Sequence, residues 1–107
     1  IKTNSEQIIF NQLKLYLLTI SDFKNTSLGI LSLSNDNKLN NNFKKALDSL
    51  NIENYKISKN VIDTINYTYK VLLVKIKETK FEQIQKSIDD LSLFSNRIDA
   101  IIIYEEE

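Results

Sequence analysis

A chain of 107 residues has room for one domain with its own core. It contains no cysteine and no histidine, which excludes disulfide frameworks, thiolate zinc sites, cysteine nucleophiles and imidazole bases, and leaves only oxygen ligands for a metal. Lys plus Arg total 14 and Asp plus Glu total 14, so no net field draws the chain to nucleic acid or anionic lipid.

The first segment runs from about Asn4 to Phe23. Thr3-x-x-Glu6 and Asn4-x-x-Gln7 both fit a capping box. Ile9, Leu13, Tyr16, Leu17, Ile20 and Phe23 then recur at helical spacing, and Ile8, Leu15 and Leu18 widen the stripe. The spacing predicts a helix, with a strand over Leu13 to Ile20 as the competing reading. Ser21 to Ser27 reads as a loop. Leu28 to Leu33 is a short apolar run containing Gly29, either a strand or an extended lead-in. Asp36 or Asn37 caps an amphipathic helix that buries Leu39, Phe43, Ala46, Leu47 and Leu50 and stops near Asn51.

Tyr55 to Ser58 is a predicted strand, and Asn60 to Asn66 a predicted hairpin connection. Tyr67 to Lys77 is the strongest strand, rich in β-branched and aromatic residues. Thr79-x-x-Glu82 opens the next helix, with Phe81, Ile84, Ile88 and Leu91 as its buried stripe. Ser95, Asn96 and Arg97 break it. Ile98 to Tyr104 is the last strand, and Glu105-Glu106-Glu107 a solvated end. The order α-β-β-α-β, with a candidate strand before it, predicts an α+β, ferredoxin-like split β-α-β domain over 27–107 and an additional N-terminal helix or coil over 1–26. Both later helices are expected on one face of an antiparallel sheet.

Hydrophobic residues at 42% and charged residues at 26% mark a globular chain. A single Gly and no Pro leave no glycine-rich phosphate loop. No apolar run approaches the roughly 18 to 20 residues that span a bilayer. The chain opens on Ile1 and contains no Met, which suggests a processed product or a piece of a longer protein.

Few groups are placed for chemistry. Asp89 and Asp90 are adjacent on a helix, about 100° apart, and do not converge on one proton. Glu105 to Glu107 lack preorganised geometry for a cation. Asp36 is a helix cap more simply than a cation ligand. A Ser–Lys pair is the one nucleophile–base set the composition leaves. Tyr67 and Tyr69, with Lys56, Lys70, Lys75 and Lys77 in the same strands, resemble a stacking platform for RNA, without the glycine–aromatic motif that marks one.

The sheet carries more information. Leu72, Val74 and Ile76 point one way from their strand, and Tyr69, Val71 and Leu73 the other. Ile101 and Ile103 oppose Ile98, Ala100 and Ile102 in the last strand. Two helices on one face leave the opposite face apolar. It must be covered by the first helix, by a second copy or by a partner. The expected partner interface is Ile9, Leu13 and Tyr16 from the first helix with Tyr69, Val71, Leu73, Ile101 and Ile103 from the sheet.

The stretches "FKKALDSLNIENYKIS" and "YKVLLVKIKETKFEQIQKSIDDLSLFSNRIDAIIIYE" resemble the extracytoplasmic domains of inner-membrane platform proteins of type IV pili and type II secretion, the PilO, PilN and GspM kind. Thr79-Lys80-Phe81 and Ile84 match the start of that family's second helix, and Ile101 to Ile103 its last strand. Thr3 to Phe23 matches the coil leading out of the membrane. The resemblance implies a ferredoxin-like fold, no enzyme activity, no cofactor and no small-molecule substrate. It implies a scaffold role through homodimers or heterodimers with a related platform protein, and an anchor outside this chain on the extracytoplasmic side of the membrane. The alternative is a Cas2-like, nucleic-acid-associated ferredoxin-like protein: "RIDAIIIYE" is similar to that family's closing strand, and Asp36 follows the first candidate strand, a resemblance that implies metal-dependent nuclease activity tested at Asp36. A ligand sensor of the ACT type is disfavoured by the near absence of Gly.

Overall fold

Strands β1 (Leu28–Ser32) and β3 (Tyr69–Lys75) decide the architecture, because β1 is buried along its whole length and β3 from Lys70 to Val74. A strand with no wet side needs cover on both faces and a neighbour on both edges. The computed structural model, which describes residues 5–20, 25–94 and 96–104, supplies both. Helix α1 (Ser5–Leu17) precedes β1. Helix α2 (Asn37–Ser49) joins β1 to β2 (Tyr55–Ser58). A single 3-10 turn (Val61–Asp63) lies between β2 and β3, and helix α3 (Phe81–Leu93) joins β3 to β4 (Ala100–Tyr104).

The four strands form one sheet in the order β2-β1-β3-β4, and every pair is parallel. The chain is thus a mixed domain of helices on a four-stranded sheet, as expected, but the antiparallel, ferredoxin-like pairing is corrected. The predicted hairpin at Asn60 to Asn66 is instead a crossover: it carries the chain past β1, which is wedged between β2 and β3. Leu28 pairs with Tyr55 on one side and Tyr69 on the other. The open alternative for Leu28 to Leu33 resolves to a central strand.

The crossovers leave the centre of the sheet in opposite directions, which puts their helices on opposite faces. On one face Leu28, Ile30, Val71, Leu73 and Ile102 meet Ile9, Leu13 and Leu17 of α1 and Leu39, Phe43, Ala46 and Leu47 of α2. On the other Leu31, Leu72 and Val74 meet Val61 of the 3-10 turn, Ile84 of α3 and the flanking Leu33 and Ile98. The first helix shares the sheet's core. The expectation that α2 and α3 share one face, leaving the other to the first helix, a second copy or a partner, is corrected: they lie on opposite faces, with α1 beside α2.

Local details follow the side chains. Asp36 caps α2, accepting from the amides of Lys38 and Leu39 at 2.9 and 3.2 Å. Asn51 closes that helix with φ of 60°, the left-handed state that asparagine tolerates. Thr79 does not cap α3. The Gln83 side chain accepts from the Lys80 amide at 2.7 Å, and the Thr79 hydroxyl accepts from the Lys75 amide at 3.1 Å. Leu15 and Leu18 are exposed rather than part of the buried stripe of α1, and Phe81 and Ile88 likewise on α3. The expected caps at Thr3 and Asn4, the extension to Phe23, Ser95 and the acidic end lie outside the described residues.

Gly29 is the one glycine, and a close approach requires it. A Cβ there would lie 2.8 Å from both the Cβ and the carbonyl oxygen of Thr64. Thr64 is itself buried, with its hydroxyl donating to the Val61 carbonyl at 2.7 Å. The crossover thus sits directly on the β1 backbone. Gly29→Ala is expected to lower unfolding free energy by about 1–3 kcal/mol, the usual cost of overpacking. Urea denaturation of the variant measures it.

Candidate functional site

In a parallel sheet every strand ends at the same edge, and ligand crevices open where crossovers diverge. Here that point lies between β1 and β3. The loop after β1 brings Ser34, Asn35 and Asp36 to it, and β3 ends there with Lys75, followed by Glu78 and Thr79. Lys77 has φ of 73° and turns the chain so that Glu78 folds back over Lys75.

These groups close on one another. The Lys75 ammonium donates to Asp36 Oδ2 at 2.8 Å and lies 3.4 Å from Glu78 Oε2. It also sits 6.0 Å from the ring centre of Tyr104, the last residue of β4. Asp36 uses its other oxygen for the α2 cap. Glu78 Oε1 accepts from the Ser34 hydroxyl and from the Asn35 amide, both at 2.9 Å. The Ser34 oxygen in turn accepts from the Asp36 amide at 3.0 Å. Nearby, the Ser32 hydroxyl donates to Asn40 Oδ1 at 2.7 Å. The result is a clamp joining the β1–α2 loop to the β3–α3 loop across the crevice position. Its cation is engaged by two carboxylates of the same chain.

The electrostatics fit a clamp. Lys75 holds the Asp36 carboxyl below the usual carboxylate range through its hydrogen bond, helped by the cap amides. The Asn35 amide, followed by Ser34 and Lys75, does the same for Glu78. Ser34, the serine nearest this lysine among the clamp residues, gives its proton to Glu78. Among the described residues no group of three or more acidic side chains is placed to hold a metal ion. Asp89 pairs with Gln85, and Asp90 with Lys86, along the outer side of α3.

The expected interface residues divide. Ile9, Leu13, Val71 and Leu73 are fully buried in the chain's own core and present nothing to a partner, which corrects their assignment. Tyr16 and Tyr69 are half-buried against that core. The Tyr16 hydroxyl is buried without a hydrogen-bond partner among the described residues. Burial first, then Asp99 and Tyr69, push its phenol up to about 12. Ile101 and Ile103 alone remain at the surface, 48% and 47% exposed on the outer strand. The tyrosine platform is not formed: Tyr69 lies beneath helices, Lys70 is buried and Lys75 is in the clamp.

A second feature lies beside Ile101. A cleft of about 560 Å³ runs between α3 and β4, lined by Ile88, Ser92, Arg97, Ile98, Asp99, Ala100 and Ile101. No family model matches the chain, and no curated protein or solved structure is significantly similar to it.

Sequence reasoning placed Asp36 as a cap and missed its partner. Lys75 closes the apolar run Val71 to Val74, but with Lys70 before that run and Lys77 after it nothing in the sequence singled it out. Because the folded-state carboxyls of Asp36 and Glu78 titrate low, the unfolded chain binds more protons as pH falls past ordinary carboxylate values. Their stabilisation is therefore complete at neutral pH and is lost below about pH 5 as acid reaches the depressed values. The thermal midpoint is expected to fall over that range. Lys75→Met should make the fall shallower without abolishing it, since backbone amides still hold both carboxylates. Melting curves across acidic pH test this.

Proposed function

We propose that this domain is a protein-association module that binds another polypeptide along α3 and β4. The observation that carries the proposal is the exposed apolar strip of Ile88 and Ile101, which line the cleft, and Ile103 two residues further along β4, with exposures of 36%, 48% and 47%. Aliphatic side chains contiguous in this way mark contact surfaces more often than isolated ones do. The clamp adds support. The position where doubly wound sheets commonly receive a ligand is occupied by the chain's own ion pairs, whereas the apolar strip has no such internal occupant.

The magnitude fits a weak, reversible association. Covering the remaining area of three half-exposed isoleucines is worth about 1 kcal/mol each, small beside the entropic cost of joining two proteins. Polar contacts at the rim must supply the rest. The assembly role implied by the resemblance to platform proteins is retained in this proposal. The pilus and secretion setting rests on the resemblance of the two quoted stretches alone, and the association proposed here does not depend on it.

Sedimentation over a wide concentration range tests the proposal. Self-association is expected, weakened at least about tenfold by Ile88→Lys or Ile101→Lys with helix content unchanged, since tenfold corresponds to about 1.4 kcal/mol of lost contact. A chain that stays monomeric at every reachable concentration overturns it. Val71→Lys and Leu73→Lys are unsuitable probes, because both side chains belong to the core and their loss unfolds the domain.

A further inference from the structure

We propose that the outer edge of β4 pairs antiparallel with β4 of a second copy about a twofold axis at Ile102, and that Gln12 of α1 is an internal guard which this pairing displaces. The proposal rests on the association reading above and specifies its partner and its control.

β4 is the last strand of the sheet, so among the described residues no strand pairs with its outer edge. The Tyr104 carbonyl accepts from the Ile76 amide on the β3 side. By alternation Ala100 and Ile102 also turn their peptide groups inward, and Ile101 and Ile103 turn theirs outward. Gln12 meets one of these outward residues. Its Nε2 donates to the Ile103 carbonyl at 2.5 Å, and its Oε1 accepts from the Ile103 amide at 3.0 Å. A side-chain amide that bonds both groups of one residue does what a neighbouring strand's peptide does. The edge therefore already holds a substitute for a strand residue, from a helix whose neighbouring Leu13 is locked in the core.

A second copy fits this edge by symmetry. Antiparallel pairing centred on Ile102 sets Ile101 opposite Ile103 of the other copy, and the converse, so both outward residues of each chain find partners with no slip in register. The isoleucine side chains of both copies then share one face of a continuous sheet, next to the two α3–β4 clefts. On the other face, Leu15 lies one turn along α1 from Gln12 and is 68% exposed, which leaves apolar surface on the helix that carries the guard. β4 carries no charge from Ala100 to Tyr104, which leaves no like-charge repulsion within the paired strands. Gln12 competes for Ile103, one of the two residues the pairing needs, and so weakens association without abolishing it. Such guarding of an open edge is a general requirement of sheets.

The test is Gln12→Ala, with the near-isosteric Gln12→Met as a second variant should alanine loosen α1. Sedimentation of either should show dimerisation roughly tenfold tighter than in the original chain, the gain of about one net hydrogen bond. The amide I infrared band of the dimer should gain an antiparallel component, which a sheet paired only in parallel lacks. Adding Ile103→Pro, which removes an outward N–H, should return the variant to monomer with its fold intact. Variants at Gln12 that associate no more tightly than the original chain, or a dimer without the antiparallel component, overturn the proposal. If that happens while Ile88→Lys still weakens association, the strand pairing is refuted and the apolar-strip reading stands. If no form of the chain associates, both fall together.

Discussion

Strand β1 has no side in contact with water, and the rest of the molecule is arranged to keep it so. Its residues alternate between two cores, with Leu28 and Ile30 facing α1 and α2 and Leu31 facing Val61 and its neighbours. Its edges are held by β2 and β3. Parallel strands with crossovers on both faces satisfy those needs within a short chain. The helices do more than decorate the sheet: each is where it is because one face of β1 or β3 has to be dry.

The same geometry explains the charged clamp. Parallel strands deliver their ends to one edge, so a lysine ending β3 and an aspartate following β1 arrive as neighbours although far apart in sequence. Neither residue is deeply buried, and a single exposed pair contributes little. The strength of this one lies in shared duties. Asp36 caps a helix with one oxygen and binds Lys75 with the other, while Glu78 ties a backbone amide and a hydroxyl of the opposite loop. Removing either carboxylate therefore disturbs a helix start or a loop as well as an ion pair.

Most elements were legible from local signals. The Asp36 cap, the end of α2 at Asn51, the strand at Tyr55 to Ser58 and the apolar stripe of α2 follow from residue chemistry alone. Strand direction was not legible, because the decisive connection, 59–68, contains a turn signature that serves a hairpin or a crossover equally well. The doubly apolar strands were the clue. Near-continuous burial on both sides belongs to parallel sheets, and reading it as an unfilled surface sent Val71 and Leu73 to an imagined interface. Gln12 and Lys75 were illegible for a different reason. A polar residue on a helix and a charged residue at a strand end look like ordinary solvated positions until the fold brings Ile103 and Asp36 to them.

The crossover over Gly29 has a cost of its own. Where a full helix would spread cover across several side chains, one short turn entrusts the far side of β1 chiefly to Val61 and Thr64. That roof is narrow, and it stands on a residue with no side chain to brace it. Local opening that lets solvent reach Leu31 and Leu72 is therefore expected to begin at this seam rather than in the broader layer under α1 and α2.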